Sequence, residues 1–131
     1  MRDQKLTRSA MIVNAVGAGI AVAFSVAALV DPALAISGSA DSPGVDLYAQ
    51  AYAARAVPLG AALLFSLASR RKRALLPLLT VSGAVQLGDV AIGVRQGIPG
   101  MVVGGSVLAL IHLATAGQLA LGASRSATAA A

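Results

Sequence analysis

Four apolar stretches divide the chain, over about residues 9–30, 47–69, 74–94 and 101–122. About 20 consecutive apolar residues are enough for one helical membrane span. Polar punctuation separates the four. Asp31-Pro32 stops the first, because proline lacks an N–H and pushes the residue before it out of helical backbone. Ser37–Gly44 is rich in turn formers and carries an acid but no base. Arg70-Arg71-Lys72-Arg73 follows the second stretch at once, and Arg95-Gln96-Gly97-Ile98-Pro99-Gly100 reads as a tight turn before the fourth. Residues 123–131 are small and polar and are expected to be a disordered tail. The pattern predicts an all-α fold, a transmembrane four-helix bundle forming one integral membrane domain over 1–131.

The first stretch has a second reading. A basic N-terminus (Arg2, Lys5, Arg8) precedes an apolar run that ends in Ala33-Leu34-Ala35, the outline of a signal peptide. The run from Ser9 to Val30 is about 22 residues, longer than the usual apolar core of such a peptide, so an uncleaved span is preferred.

Composition agrees with the membrane reading. The chain is 57% hydrophobic and 11% charged, against about a quarter charged in soluble domains. All five acids are Asp. The net charge of +5 does not point to nucleic acid. The bases cluster at the ends of apolar runs, and two Tyr, two Phe and no Trp leave little to stack on bases. With no cysteine, disulfides, thiolate metal sites and thiol redox chemistry are excluded. No metal site and no cofactor is expected. Lys and Arg concentrate at the N-terminus, the Arg70–Arg73 loop and the tail, so these are expected in the cytoplasm. That places both termini inside a multi-pass protein of the inner or plasma membrane, with the lipid bilayer as its main partner. A homo-oligomer is compatible with this layout.

The candidate chemistry lies in the few polar groups within the spans. Asp89 is the only acid inside an apolar run, and burying a lone carboxylate is costly unless it is paired. Arg55, in the second span, is the counter-charge on offer. Both should lie about 9–12 Å below the outer interface, at matching depth on neighbouring helices. The pair serves either as a structural salt bridge or as part of a site. Around it, Tyr48, Tyr52, Arg55, Leu59, Ala62 and Ser66 share one helical face, as do Ser82, Gln86, Asp89 and Gly93. Asn14, Ala18, Ala21 and Ser25 form a third such stripe, and Gly105, Leu108, His112 and Thr115 a fourth. Polar stripes turn inward in a bilayer, so the four should meet around an interior polar site.

His112 is the only histidine. It is expected to make an interhelical hydrogen bond, to Asn14 or Gln86, or to transfer protons. Pro58 removes the hydrogen bond to the Ala54 carbonyl, while Pro77 is expected in the first turn of its helix, where proline is tolerated. Ala84/Gly88 and Gly100/Gly104 are candidate close-packing pairs. There is no phosphate loop, no HExxH and no credible Ser-His-Asp spacing.

The sequence Tyr52-Ala-Ala-Arg55-Ala-Val-Pro-Leu-Gly60, then Gly88-Asp89, Gly93, Gly104-Gly105 and Ile111-His112, resembles a family of small bacterial and fungal four-span membrane proteins of unknown function. The resemblance covers about residues 50–117 and implies that Arg55, Asp89 and His112 belong together. It implies no activity. The expected function is binding of a lipophilic small molecule within the bilayer, with intramembrane proton transfer of the isomerase or cyclase kind as its chemical form. Asp89, Arg55 and His112 are the catalytic candidates, with Arg55 setting the charge of Asp89 or holding an anionic substrate group. Tyr52, Gln86, Asn14 and Tyr48 are the substrate-binding candidates. The alternative is a small transporter or an assembly subunit in which Arg55–Asp89 is only a tie.

Overall fold

The computed structural model describes residues 6–34, 43–69 and 71–128. Four long helices account for nearly all of them: α1 (Arg8–Val30), α2 (Pro43–Ala68), α3 (Lys72–Gln96) and α4 (Pro99–Thr128). A single short 3-10 turn, Pro32–Leu34, follows α1. The ends are set by local chemistry. Thr7 caps α1, its hydroxyl oxygen accepting from the Ala10 N–H at 3.2 Å. Asp31 ends α1 and starts the 3-10 turn, its carboxylate accepting from the Ala33 N–H at 3.1 Å. α3 closes on Gly97, the one described glycine with positive φ (65°), and the Ile98 N–H bonds the Gly93 carbonyl at 2.9 Å. Pro99 then opens α4, where its missing N–H costs nothing.

The helices run up and down in a ring. α1 packs on α2 and α3 on α4, and these two hairpins meet through a smaller contact between α2 and α3. The seam between α1 and α4 is narrow, and the diagonal pairs do not approach. The Ser69–Arg71 turn shares one end with the start of α1 and the finish of α4; we call it the basic end. Arg71 is seated there over the Phe65 ring, 5.1 Å from its centroid. The apolar core fills the basic half of the ring, around Leu63, Leu67, Leu75, Leu79 and Ala116. Ile12, Ile20, Phe65, Leu110 and Leu121 point outward instead. All four helices are long and apolar enough to cross a bilayer, with mean hydropathy from 1.5 to 2.1, which is the build of a multi-pass membrane protein.

Several expectations need correction. α2 begins at Pro43, four residues early, because proline and Asp46 suit a helix's first turn. The rest of the expected 37–44 loop lies outside the described residues. Lys72 and Arg73 belong to α3, so Pro77 stands inside that helix and leaves the Arg73 carbonyl without its usual donor. Residues 123–128 are not a disordered tail. α4 continues through them on alanine's helix propensity, with the Ser124 and Thr128 hydroxyls donating to carbonyls one turn back. Residues 129–131 lie outside the described set.

The stripe on α2 is also displaced. Its buried face is Ala49, Ala53, Gly60, Leu63, Ser66 and Leu67; of the expected stripe Ser66 is buried, but Ala62 is exposed and the face is otherwise turned about one position. Small residues, not polar ones, decide which face meets α1. A Cβ on Gly60 would sit 2.4 Å from Val22 Cγ2, so only glycine allows that approach. Gly83 does the same on α3, where a Cβ would lie 2.5 Å from Leu113 Cγ. The expected close-packing glycines Gly88, Gly100 and Gly104 meet nothing within 4 Å.

Candidate functional site

Two polar clusters occupy the interior. The first joins α2 to α3. Arg55 donates through Nη2 to Asp89 Oδ1 at 2.5 Å, as the search for a counter-charge required. The partners are unequally placed: the Asp89 side chain is 5% exposed and that of Arg55 40%. The guanidinium also lies 5.4 Å from the Tyr52 ring centroid, over its face.

The second cluster joins α1 to α4. Asn14, fully buried, donates to the Ala10 carbonyl and to Thr115 Oγ1, both at 2.8 Å. A carbonyl can only accept, so the amide nitrogen must face Ala10 and the amide oxygen must face His112. His112 Nδ1 lies 2.8 Å from that oxygen and therefore carries a proton. In the neutral ring the lone pair is then on Nε2. Thr115 completes the chain by donating to the Ile111 carbonyl at 2.8 Å. Of the two partners expected for His112, the structure selects Asn14.

Between the hairpins, in the half away from the basic end, lies a cavity of about 480 Å³. Phe24 of α1, Tyr48 and Tyr52 of α2, Gln86 and Asp89 of α3, and Gly104 of α4 are among its walls. The Tyr48 and Tyr52 rings are near-parallel, with centroids 6.3 Å apart and planes 18° apart. Phe24 meets Tyr52 edge-on. The chain has four aromatic residues, and three of them line this one cavity. Phe24 and Gly104 line it and are themselves exposed, and Leu34, Gly97 and Gly100 line it at the end away from the basic end. On the basic side the α1–α4 seam is shut by Leu108 against Gly17 and then by Asn14 with His112 and Thr115.

A second space of about 30 Å³, the room of a single water molecule, lies on the basic side of the first. Arg55, Ser82 and His112 line it but not the large cavity, while Tyr52, Gln86 and Asp89 line both. Ser82 Oγ is the one buried side-chain polar atom among the described residues with no hydrogen-bond partner. Asp89, Gln86 and Tyr52 thus form a partition with space on both sides.

The structure brings Tyr48, Tyr52, Gln86 and Asp89 together around the large cavity. It does not bring Arg55, His112 or Asn14 to it. Asn14 lines neither space, and its contacts are all with other protein groups. Phe24, Met101 and Gly104 are walls that the polar stripes did not mark. Met101 accepts the Tyr48 hydroxyl at 3.7 Å through its sulfur. The scarcity of aromatics was the one signal that could have drawn attention to Phe24. No group of three or more His, Cys, Asp or Glu able to hold a metal occurs among the described residues. Compared with protein-family models, curated proteins and solved structures, the chain matches none.

Proposed function

We propose that this protein binds a lipophilic small molecule inside the bilayer, in the cavity between its hairpins. The observation that carries the reading is the convergence of three of the chain's four aromatic side chains, with Asp89 and Gln86, on a space of about 480 Å³. Ligand sites are concave, mostly apolar and furnished with a few polar groups, and this space has that character. In this reading the basic end faces the cytoplasm, following the positive-inside rule, so both termini are inside and the cavity lies in the outer leaflet of the cell membrane. The resemblance over about residues 50–117 belongs to the same reading, since it groups Asp89 with Arg55 and His112.

Proton transfer on the bound molecule is a second reading, favoured by one feature. Asp89 reaches the large cavity and is backed by a water-sized space holding Ser82 and His112. A carboxylate so placed has a route for a proton behind it.

The test is Gly104→Phe. Gly104 lines the cavity and a Cβ there meets nothing within 4 Å, so a large side chain can be added at this wall without a clash at its root. The wild type, purified in nanodiscs of native lipid, should retain a lipophile detectable by mass spectrometry, and the variant should lose it while keeping its thermal stability. Equal retention by both would sink the proposal.

A further inference from the structure

The polar groups in the cavity walls decide what kind of ligand fits there. Arg55 lines the small space behind Asp89 and is absent from the walls of the large cavity. A ligand therefore meets the carboxylate and not the guanidinium. Arg55 takes Asp89 Oδ1, leaving Oδ2 as the acceptor for a donor on the ligand. The sequence-based expectation that Arg55 holds an anionic group loses its geometric basis, because an anion in the large cavity would face Asp89 first.

Charge balance narrows the choice further. Arg55 and Asp89 compensate one another at 2.5 Å. A ligand with a permanent charge would add an uncompensated ion to a site of low polarity, at a large desolvation cost. A neutral hydroxyl avoids that cost and still makes a strong bond, since an O–H donating to a carboxylate is charge-assisted. Tyr48, Tyr52 and Phe24 set three aromatic side chains in the cavity wall beside the carboxylate. Aromatic side chains take a further ring edge-on or offset at a gain beyond its buried area.

Resting on the lipophile-binding reading, we infer that the ligand is a neutral, ring-bearing lipophile whose hydroxyl group donates to Asp89. The ring lies beside the aromatic side chains of Phe24, Tyr48 and Tyr52, and the remaining apolar part occupies the rest of the cavity.

The chain supplies its own reporter. It has no tryptophan and only two tyrosines, and both line the cavity, so intrinsic tyrosine emission reads this site alone. The full-length protein, in lipid vesicles free of any other protein, is titrated with a long-chain alkylcyclohexanol, its methyl ether, and the matching carboxylate and ammonium compounds, none of which emits. The alcohol should change the emission saturably and bind about tenfold or more tighter than the ether, the step expected for a hydrogen bond to a charged group. In Asp89→Asn that advantage should shrink to less than about threefold, because the charge assistance is gone. Equal binding of alcohol and ether by the wild type overturns the hydroxyl assignment and leaves the lipophile site standing. Tightest binding of the carboxylate or of the ammonium overturns the assignment of a neutral ligand. If no compound moves the emission and Gly104→Phe retains lipophile as the wild type does, the site reading itself falls.

Discussion

Replacing Asn14 with leucine removes the side chain that ties the first helix to the last. Two interhelical contacts go, with His112 Nδ1 and with Thr115 Oγ1, each 2.8 Å long. Such bonds are worth about 0.6 kcal/mol on average in membrane proteins, reaching about 1.7. The imidazole N–H, on a residue only 2% exposed, is then left unpaired, and an orphaned buried donor costs about 1–3 kcal/mol. Thr115 loses little, because it still donates to Ile111. Asn14→Leu should therefore destabilise the fold by about 2–4 kcal/mol. His112→Phe removes the same contact from the other side and strands the amide oxygen, for about 1–3 kcal/mol. The double variant strands neither group, so its loss should fall short of the summed single losses by about 1–2 kcal/mol. Steric trapping measures this in bicelles. With no native cysteine, an engineered pair can be labelled without competition. Additivity of the two changes within about 0.5 kcal/mol would refute the pairing of Asn14 with His112.

The glycines and the ion pair give further tests by the same assay. Gly60→Ala and Gly83→Ala should each cost about 1–3 kcal/mol, because the new methyl meets the stiff Val22 or the branch carbon of Leu113, while Gly88→Ala, on an open face, should be neutral or stabilising. Equal effects at Gly60 and Gly88 would contradict the close approach of α1 and α2. Arg55→Ala should destabilise more than Asp89→Asn, by about 3 kcal/mol or more, since it strands a carboxylate that is 5% exposed, whereas the reverse change strands a guanidinium that is 40% exposed. The opposite ranking would refute the view that Asp89 is the sealed partner.

The helices could be read from the sequence because each carries its own signal. Apolar length marks the spans, and Asp31, Gly97 and Pro99 mark ends by chemistry that acts within a few residues. The Arg55–Asp89 pair was legible for a different reason: one acid among apolar runs needs a counter-charge, and few were on offer. The rotation of α2 was not legible. Tyr52 and Arg55 outweigh Ala53 and Gly60 in any polarity pattern, yet Gly60 decides the closest approach. For the same reason the large cavity was hidden. Its volume depends on how far Leu108 and Gly17 let α1 approach α4, and no single-helix pattern carries that distance. The helical run from Ala123 to Thr128 was missed because small residues resemble a tail until a helix reaches them.

The seam that carries the cavity joins residues 98 and 101 positions apart in the chain. A membrane protein is threaded into its bilayer in order, N-terminal helices first. Neighbouring hairpins can associate as they arrive, but α1 must wait for α4. Until then Asn14 sits in hydrocarbon without its side-chain partners, able to bond only back to its own helix. The cavity does not exist during that interval, since one of its walls has not yet been made. The last helix delivered thus completes both the cavity and the polar lock beneath it, so a nascent chain lacking α4 has neither, and carries a buried amide whose remaining needs can be met only by another molecule.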